Sequence, residues 1–241
     1  MNSEIPNYEP LMQEAVEATW GLRDEQAAAQ EIRGVSDAGT RGAVTGGKHL
    51  GPLEALVTRV LIDAGLDESC IYTNNNKTKL PGYFRELKNW DVVALKGDTL
   101  VAVIELKSQS GSFGNNLNNR IEEAVGQTVD FWQSFEKEII SGLRPWFGYL
   151  MVVEASNEST KPIGTPNSVL KAPDKSFLGK SYIERYAMAF DRMHRERLLD
   201  SVCFTASAKG GGSIEYPIPA FSFQLFAVAL FNRVRQIEAL S

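Results

Sequence analysis

Two carboxylates and a lysine stand where two apolar segments of the sequence could bring them together. Asp91 opens the run 91–95, and Glu105 and Lys107 lie at the end of the run 100–107. Residues two apart in a strand point to the same face, so Glu105 and Lys107 lie side by side. Carboxylate oxygens with retained water are the ligands that Mg²⁺ prefers, and a nearby lysine can orient a water and stabilise charge on a phosphate. The three residues therefore predict a magnesium site that hydrolyses phosphodiesters.

The connection between the two runs decides whether this site can form. Lys96-Gly97-Asp98-Thr99 separates them, which predicts a β-hairpin, and the second run is apolar on both faces, as in a covered central strand. With a simple two-residue turn at positions 97–98, Asp91 would face Ile104. The metal site therefore requires a loop of three or five residues, or a β-bulge.

Two further signals concern the same site. A second Glu-x-Lys stands at Glu86-Leu87-Lys88, but it follows Gly-Tyr-Phe-Arg and not an apolar strand, and no aspartate opens a paired strand beside it. Glu54 is a fourth candidate that could reach the metal, although an acid in the first turn of a helix also favours the helix dipole. For Asp91, Glu105 and Lys107 the alternative explanation is a solvated salt-bridge cluster at the end of a sheet.

The surrounding pattern predicts an α/β protein with a mixed central β-sheet flanked by helices. Apolar spacing predicts helices at 11–30, 53–64, 121–139, 180–199 and 219–238, with further strands at 146–153 and 202–206. Segments 34–51, 73–82 and 108–119 are expected to be loops. The first helix should pack through Ala15, Val16, Trp20 and Ala27. We expect one domain over residues 1–241, with an N-terminal helical region at about 1–50.

Composition excludes several classes of protein. The net charge of −5 is concentrated in the first 31 residues, which hold seven acids and one base, so it excludes a simple basic DNA-coating protein but not a DNA partner. Cys70 and Cys203, far apart, predict free buried thiols in a reducing compartment, hence a cytoplasmic protein. No apolar run is long enough to span a membrane. Neither of the two histidines lies in a metal-ligand cluster, which excludes a zinc site.

Two polar segments are candidate DNA contacts. Asparagine can read adenine and arginine can read guanine in the major groove, and such side chains follow the proposed catalytic strand: Asn115, Asn116, Asn118, Asn119 and Arg120. An Asn-rich turn before the next helix is the alternative. Lys48, in the glycine-rich stretch, could contact DNA phosphates, and a plain flexible loop is the alternative there.

The chain resembles the PD-(D/E)XK nuclease superfamily, and within it the XhoI-type restriction endonucleases. Trp90-Asp91 matches the first superfamily motif, with Trp90 in place of the usual proline, and Glu105-Leu106-Lys107 matches the second. The XhoI-type resemblance covers about the first 155 residues. It is carried by Trp20-Gly-Leu-Arg23 with Gln26, Thr45-Gly-Gly-Lys48, Pro81-Gly-Tyr-Phe-Arg85 leading through Lys88 to Trp90-Asp91, Glu105-Leu-Lys107-Ser-Gln109, and Phe113-Gly-Asn-Asn116.

This resemblance implies a restriction-endonuclease-like core and a Type II restriction enzyme that acts as a homodimer on double-stranded DNA. The implied site is CTCGAG, cut after the first base to leave 5′ extensions, with a cognate DNA methyltransferase in the same system. Asp91, Glu105 and the Leu106 carbonyl would bind Mg²⁺, Lys107 would serve the attacking water, and Glu54 matches the auxiliary helix acid less securely. The alternatives are a repair or junction nuclease of the same fold, or a non-catalytic DNA-binding protein.

Overall fold

A five-stranded mixed sheet forms the centre of the molecule in the computed structural model, which describes residues 4–32, 48–73, 76–166 and 168–240. Its strands, in spatial order, are β1 (Ile71–Thr73), β4 (Val92–Lys96), β5 (Thr99–Gln109), β6 (Trp146–Glu154) and β7 (Ser201–Ser207). β1, β4 and β5 are antiparallel, whereas β5, β6 and β7 are parallel. Two short strands outside this sheet, β2 (Lys79–Pro81) and β3 (Leu87–Asn89), form an antiparallel pair of their own. The predicted α/β class with a mixed sheet is confirmed.

Helices cover both faces of the sheet. In chain order they are α1 (Glu9–Ile32), α2 (Gly51–Asp63), α3 (Phe113–Glu136), the single turn α4 (Asn157–Thr160), α5 (Tyr182–Arg195) and α6 (Phe223–Leu240). Apolar residues of α1, α2 and α6 pack on one face, and those of α3 and α5 pack on the other. Short 3₁₀ turns occur at Lys48–Leu50, Glu68–Cys70, Asn76–Thr78, Lys175–Phe177 and Pro219–Phe221. β5 therefore lies between two apolar layers, which explains why its sequence is apolar on both faces.

The helix predicted from 53 to 64 is the clearest success of the apolar pattern. Pro52 stands in its first turn, where the missing amide hydrogen costs no intrahelical bond, and Gly65 follows with a φ of 111°, a conformation that glycine adopts without steric cost. All six side chains of the predicted face are buried: Leu53, Leu56, Val57, Val60, Leu61 and Ala64.

Some local predictions are wrong. Ala27 is exposed, since the last buried side chain of α1 among the described residues is Trp20. Cys70 is only partly buried, whereas Cys203 is buried, and both are free thiols. Part of the predicted loop 73–82 is strand, since Thr73 ends β1 and β2 begins at Lys79.

The predicted loop 108–119 is also wrong, because β5 extends to Gln109 and α3 begins at Phe113. Asparagine is a weak helix former, which favoured a loop on sequence grounds. Phe113 and Leu117 are nevertheless buried at helical spacing, and the ring of Phe113 stacks on that of Tyr182 at 5.9 Å. Burial of these side chains outweighs the local propensity, so Asn115, Asn116, Asn118, Asn119 and Arg120 lie on a helix.

Much of the predicted glycine-rich stretch 34–51 lies outside the described residues, as do positions 74–75. Across the ranges that are described, no helix is both long enough and apolar enough to cross a membrane.

Candidate active site

A β-bulge sets the register of the central hairpin. The turn between β4 and β5 contains only two residues, 97–98, and the pairing then shifts by one position between Leu95 and Ala94. Val101 is the extra residue that this shift leaves on β5. Its carbonyl accepts a hydrogen bond of 3.1 Å from Nε of Arg233 on α6, so the bulged backbone is satisfied from a distant helix.

The bulge brings the two predicted carboxylates together. Because of it Val92 pairs with Ile104, and the residue before Val92, Asp91, reaches Glu105 on the neighbouring strand. Oδ2 of Asp91 accepts a hydrogen bond of 2.7 Å from the backbone nitrogen of Leu106. Without the extra residue Asp91 would face Ile104, so the condition that the sequence placed on this site is met by a bulge and not by a longer loop.

Glu105 is buried between two lysines. Its side chain is 4% exposed, its Oε1 accepts a hydrogen bond from Nζ of Lys107, and its Oε2 accepts one of 2.9 Å from Nζ of Lys88. Lys107 comes from the same strand, as the alternation of β5 predicts. Lys88 comes from β3, outside the main sheet, and the sequence did not single it out as a site residue.

The charges in this cluster shift one another's ionisation. Burial, and then the neighbouring Glu105, raise the pKa of Asp91 from 3.8 to about 6. Burial also opposes ionisation of Glu105, but the charges of Lys107 and Lys88 outweigh it and keep its pKa below the usual value. Burial works against the charge of Lys107 too, yet Glu105 and Asp91 raise its pKa overall. The cluster therefore holds an ionised glutamate, a lysine ammonium and an aspartate whose negative charge is unfavourable without a further cation.

Glu54 lies against the edge of the sheet. Burial raises the pKa of its carboxyl and outweighs a hydrogen bond with Thr73, which acts to lower that pKa. Thr73 pairs with Val92, the residue that follows Asp91, so Glu54 sits one strand away from the carboxylate pair. Its place among the metal ligands stays a prediction.

An open cleft of about 530 Å³ leads to Glu105. It is lined by Arg85, Lys88, Glu105, Lys107, Arg120, Glu122, Glu123, Gly126 and Gln127. Arg85, Lys88, Lys107 and Arg120 give one end of it several positive groups, which is the charge that a phosphate backbone requires. The predicted DNA-binding residue Arg120 therefore lies in the same cleft as the carboxylate site, where it pairs with Glu123 at 2.7 Å.

A buried aspartate fixes the loop that carries one of these basic residues, Arg85. Oδ1 of Asp130, on α3, accepts hydrogen bonds from the backbone nitrogens of Tyr83 and Phe84 at 2.9 and 2.7 Å, and Oδ2 binds Nε of Arg85 at 2.7 Å. A Cβ on Gly82 would lie 2.6 Å from the same carboxylate. The loop between β2 and β3 is thus held tightly to α3, and it carries Arg85 to the cleft and leads into β3, which carries Lys88.

The remaining candidate DNA contacts lie on or near α3. Asn115, Asn118 and Asn119 are exposed at the i, i+3, i+4 spacing of one helical face. Asn116 is partly buried and donates to the Ser112 carbonyl at 3.0 Å. Lys48 is exposed at the start of the 3₁₀ turn before α2. Whether any of them contacts DNA stays a prediction.

Near its end, β5 is held by polar contacts of Ser108 that the sequence did not reveal. Oγ of Ser108 bonds with Nη1 of Arg23 and with Nε2 of His49, each at 2.8 Å. Burial and the charge of Arg23 lower the pKa of His49 to about 4. A neutral, buried His49 therefore helps to anchor β5.

The site offers carboxylate oxygens, the ligands that a hard cation prefers, but only a few of them. Within the described ranges, no group of three or more His, Cys, Asp and Glu side chains is gathered in one place. Asp91 and Glu105 are the converging pair, and Oδ1 of Asp91 makes no hydrogen bond to a described residue. A divalent cation fits this set, because it would relieve the repulsion that raises the pKa of Asp91, with water or backbone oxygens completing its coordination.

The mixed sheet between helical layers, with two carboxylates and a lysine at the hairpin, defines a restriction-endonuclease-like protein. The comparisons agree. The family model described as "Restriction endonuclease XhoI" matches residues 29–216. Type II restriction enzyme BstVI of Geobacillus stearothermophilus is 39% identical over 183 residues, covering 73% of this chain and 81% of that enzyme.

Two further Type II restriction enzymes are similar. AbrI of Azospirillum brasilense is 38% identical over 163 residues, 67% of this chain and 73% of that enzyme. XhoI of Xanthomonas vasicola is 36% identical over 191 residues, 77% of this chain and 75% of that enzyme. No solved structure matches the chain significantly. The chain therefore belongs to the XhoI family of Type II restriction endonucleases.

Proposed function

We propose that this enzyme is a Mg²⁺-dependent endonuclease that cuts double-stranded DNA at the palindrome CTCGAG, after the first C, to leave 5′ extensions. The observation that carries the catalytic part is the bulged register, which sets Asp91 beside Glu105 on the neighbouring strand. Glu105 and Lys107 line a cleft that also holds Arg85, Lys88 and Arg120. The family membership and the 36% identity with XhoI support the recognition sequence.

The proposed metal ligands are the carboxylates of Asp91 and Glu105 and the carbonyl of Leu106, with Glu54 as a further candidate from α2. A bound Mg²⁺ would supply a more acidic water and neutralise charge on the phosphate. Because restriction endonucleases generally use a divalent cation, the open proposal is the identity of the ion and of its ligands.

The chain's own residues orient and stabilise the reactants. The amide of Leu106 fixes the Asp91 carboxylate at 2.7 Å, so the rotamer that faces Glu105 is held before substrate arrives. Lys107, whose raised pKa keeps it protonated, can donate a hydrogen bond to the attacking water and to a phosphate oxygen. Arg85 and Arg120 add positive charge along the cleft, where it would position the DNA backbone.

Base recognition is proposed for the polar face of α3. Asn115, Asn118 and Asn119 share that face and project into solvent, Asn116 lies beside them, and Arg120 follows in the cleft. Side chains at the start of a helix that enters the major groove can reach base edges. Lys48 is proposed to contact a phosphate.

A palindromic site suits a homodimer, since two-fold symmetry lets each subunit cut one strand. We propose such a dimer, a cytoplasmic location for the enzyme and, as the functional partner in the same system, a cognate DNA methyltransferase that protects host copies of the sequence. We also propose that the whole chain, residues 1–241, forms one domain with an N-terminal helical region at about 1–50.

Digestion of a sequenced phage DNA tests the proposal. The wild-type protein and the variants Asp91→Asn and Asp98→Asn are each incubated with the DNA, once with Mg²⁺ and once with EDTA. Asp98 is an exposed acid in the hairpin turn, so Asp98→Asn makes the same chemical change on the same hairpin away from the carboxylate pair. Discrete fragments are expected only with Mg²⁺ and only from the wild type and Asp98→Asn. Sequencing of their ends should read CTCGAG cut after the first C.

Other results of the digestion would reject one part of the proposal or favour an alternative function. Discrete fragments with different ends would leave the catalytic site intact and reject the recognition sequence. A smear, or cutting of branched DNA alone, would indicate a repair or junction nuclease. Full activity in Asp91→Asn would reject the proposed catalytic site.

A further inference from the structure

Lys88 occupies a prepared position beside Glu105. Its side chain is 12% exposed, and Nζ lies 2.9 Å from Oε2 of Glu105, 3.1 Å from the carbonyl of Asn89 and 4.0 Å from the centre of the Trp90 ring. Trp90 is itself buried and packs edge-on against Phe147. Three contacts of different kinds therefore hold one ammonium group over one oxygen of a buried carboxylate.

This contact conflicts with the binding of a metal ion by Glu105. Both oxygens of that carboxylate already accept from lysines, Oε1 from Lys107 and Oε2 from Lys88. An ion between Asp91 and Glu105 needs at least one of these oxygens, and it brings two positive charges next to both ammonium groups. Each oxygen keeps a second lone pair, so the conflict is one of charge, and withdrawal of one lysine from Glu105 relieves it when the ion enters.

Lys88 is the one that the geometry allows to withdraw. Lys107 is on β5 itself, and the charges of both Glu105 and Asp91 act on it, so it has a second carboxylate to face. Lys88 is on the β2–β3 pair, outside the main sheet, and lines the open cleft. Its four-carbon stem can turn the ammonium from Oε2 towards that cleft without moving the backbone.

We propose that Lys88 is a positioning residue that competes with the divalent cation for Glu105, an inference that rests on the proposed metal site. In the metal-free enzyme Lys88 neutralises the buried carboxylate and holds it in place. The arriving ion takes Oε2, and the ammonium moves into the cleft beside Arg85 and Arg120, where phosphates enter. The enzyme thus carries its own substitute cation until a metal ion is bound.

Binding of Mn²⁺ without DNA tests the competition. Mn²⁺ suits the same oxygen ligands as Mg²⁺, and its free ion can be followed by electron paramagnetic resonance. Lys88→Met removes the competitor and should tighten Mn²⁺ binding about tenfold, whereas Lys88→Arg, which keeps the charge, should stay within about threefold of the wild type. The matched control is Lys96→Met, which removes a lysine that pairs with Glu238 near the turn end of the hairpin and should leave the affinity unchanged.

The variant Asp91→Asn distinguishes a failure of the proposed metal site from a failure of the proposed competition by Lys88. If it loses Mn²⁺ binding while Lys88→Met binds no more tightly than Lys96→Met, the metal site stands and the competition is rejected. If Asp91→Asn binds as the wild type does, the metal site is misplaced and both proposals fail.

Lysine labelling of the wild-type protein gives an answer that needs no folded variant. Acetylation of Lys88, read by mass spectrometry, should be slow in EDTA and rise several-fold with Mg²⁺, with Lys96 unchanged. Equal labelling of Lys88 in both conditions would show that it does not leave Glu105.

Discussion

Replacing Asp91 by asparagine should make the metal-free protein more stable while removing its site. The aspartate is partly buried next to Glu105, and its pKa in the folded protein rises from 3.8 to about 6. Asparagine has nearly the same shape, carries no charge, and its side-chain oxygen can still accept the hydrogen bond from the Leu106 amide. The variant therefore keeps the packing and loses the unfavourable charge.

The size of the effect follows from proton linkage. Because the folded protein holds the Asp91 proton more tightly than the unfolded chain does, the free energy of unfolding falls as pH rises from about 4 to about 6, and this deficit persists above pH 6. Two pKa units correspond to about 3 kcal/mol. At pH 7.5 in EDTA, Asp91→Asn should thus exceed the wild type by about 2–3 kcal/mol, and near pH 4 the difference should vanish.

Urea unfolding in EDTA at several pH values measures this difference directly, and Asp98→Asn in the exposed turn is the control that should follow the wild type. Adding Mg²⁺ should then stabilise the wild type and Asp98→Asn, but not Asp91→Asn, because only a protein that binds the ion gains from it. A wild type that equals or exceeds Asp91→Asn in stability at pH 7.5 without metal would refute the reasoning, since the carboxylate would then carry no cost of burial.

Three further experiments test the supports of the site and of the sheet. Gly82→Ala should displace the loop from Asp130, because its Cβ would lie 2.6 Å from that carboxylate. The variant should lose a larger fraction of its DNA cleavage rate than of its thermal stability. Equal fractional losses in cleavage rate and thermal stability would argue against a positioning role for the loop. A double-mutant cycle of Asp130→Asn and Arg85→Met should give a coupling of about 0.5–1 kcal/mol in urea unfolding, because the arginine is half-exposed, and no coupling would contradict the ion pair. Gly148→Ala would place a Cβ 2.4 Å from the Trp146 ring in the core, so we expect a loss of about 1–3 kcal/mol; an unchanged melting temperature would show that the core adapts.

Much of the scaffold could be predicted from the sequence because its signals are local. The apolar stripe of α2, its proline and its terminal glycine all act within a few residues of one another, and the six buried side chains agree with them. The continuous apolar run of β5 indicates that both of its faces are covered. The neighbouring positions of Glu105 and Lys107 follow from strand alternation alone.

Helix α3 marks the limit of such local reasoning. Its first turns are rich in asparagine, which favours a loop, yet Phe113 and Leu117 are buried and Phe113 stacks on Tyr182 of α5. Contacts with a segment far along the chain outweigh a weak local propensity. The same limit hid the role of Asp130, whose partners lie more than forty residues earlier.

By itself, then, the sequence determined the elements and the chemical identity of the site: an α/β chain whose Asp91, Glu105 and Lys107 stand at the ends of two paired runs. Only the tertiary structure decided that these groups meet. The extra residue at Val101, whose carbonyl is satisfied by Arg233 from α6, turns Asp91 to Glu105, and β3 brings Lys88 to the same carboxylate. A one-residue shift reverses the face of every side chain on a strand, and ion pairs between distant segments leave no periodic trace, so both are settled by packing and not by local pattern.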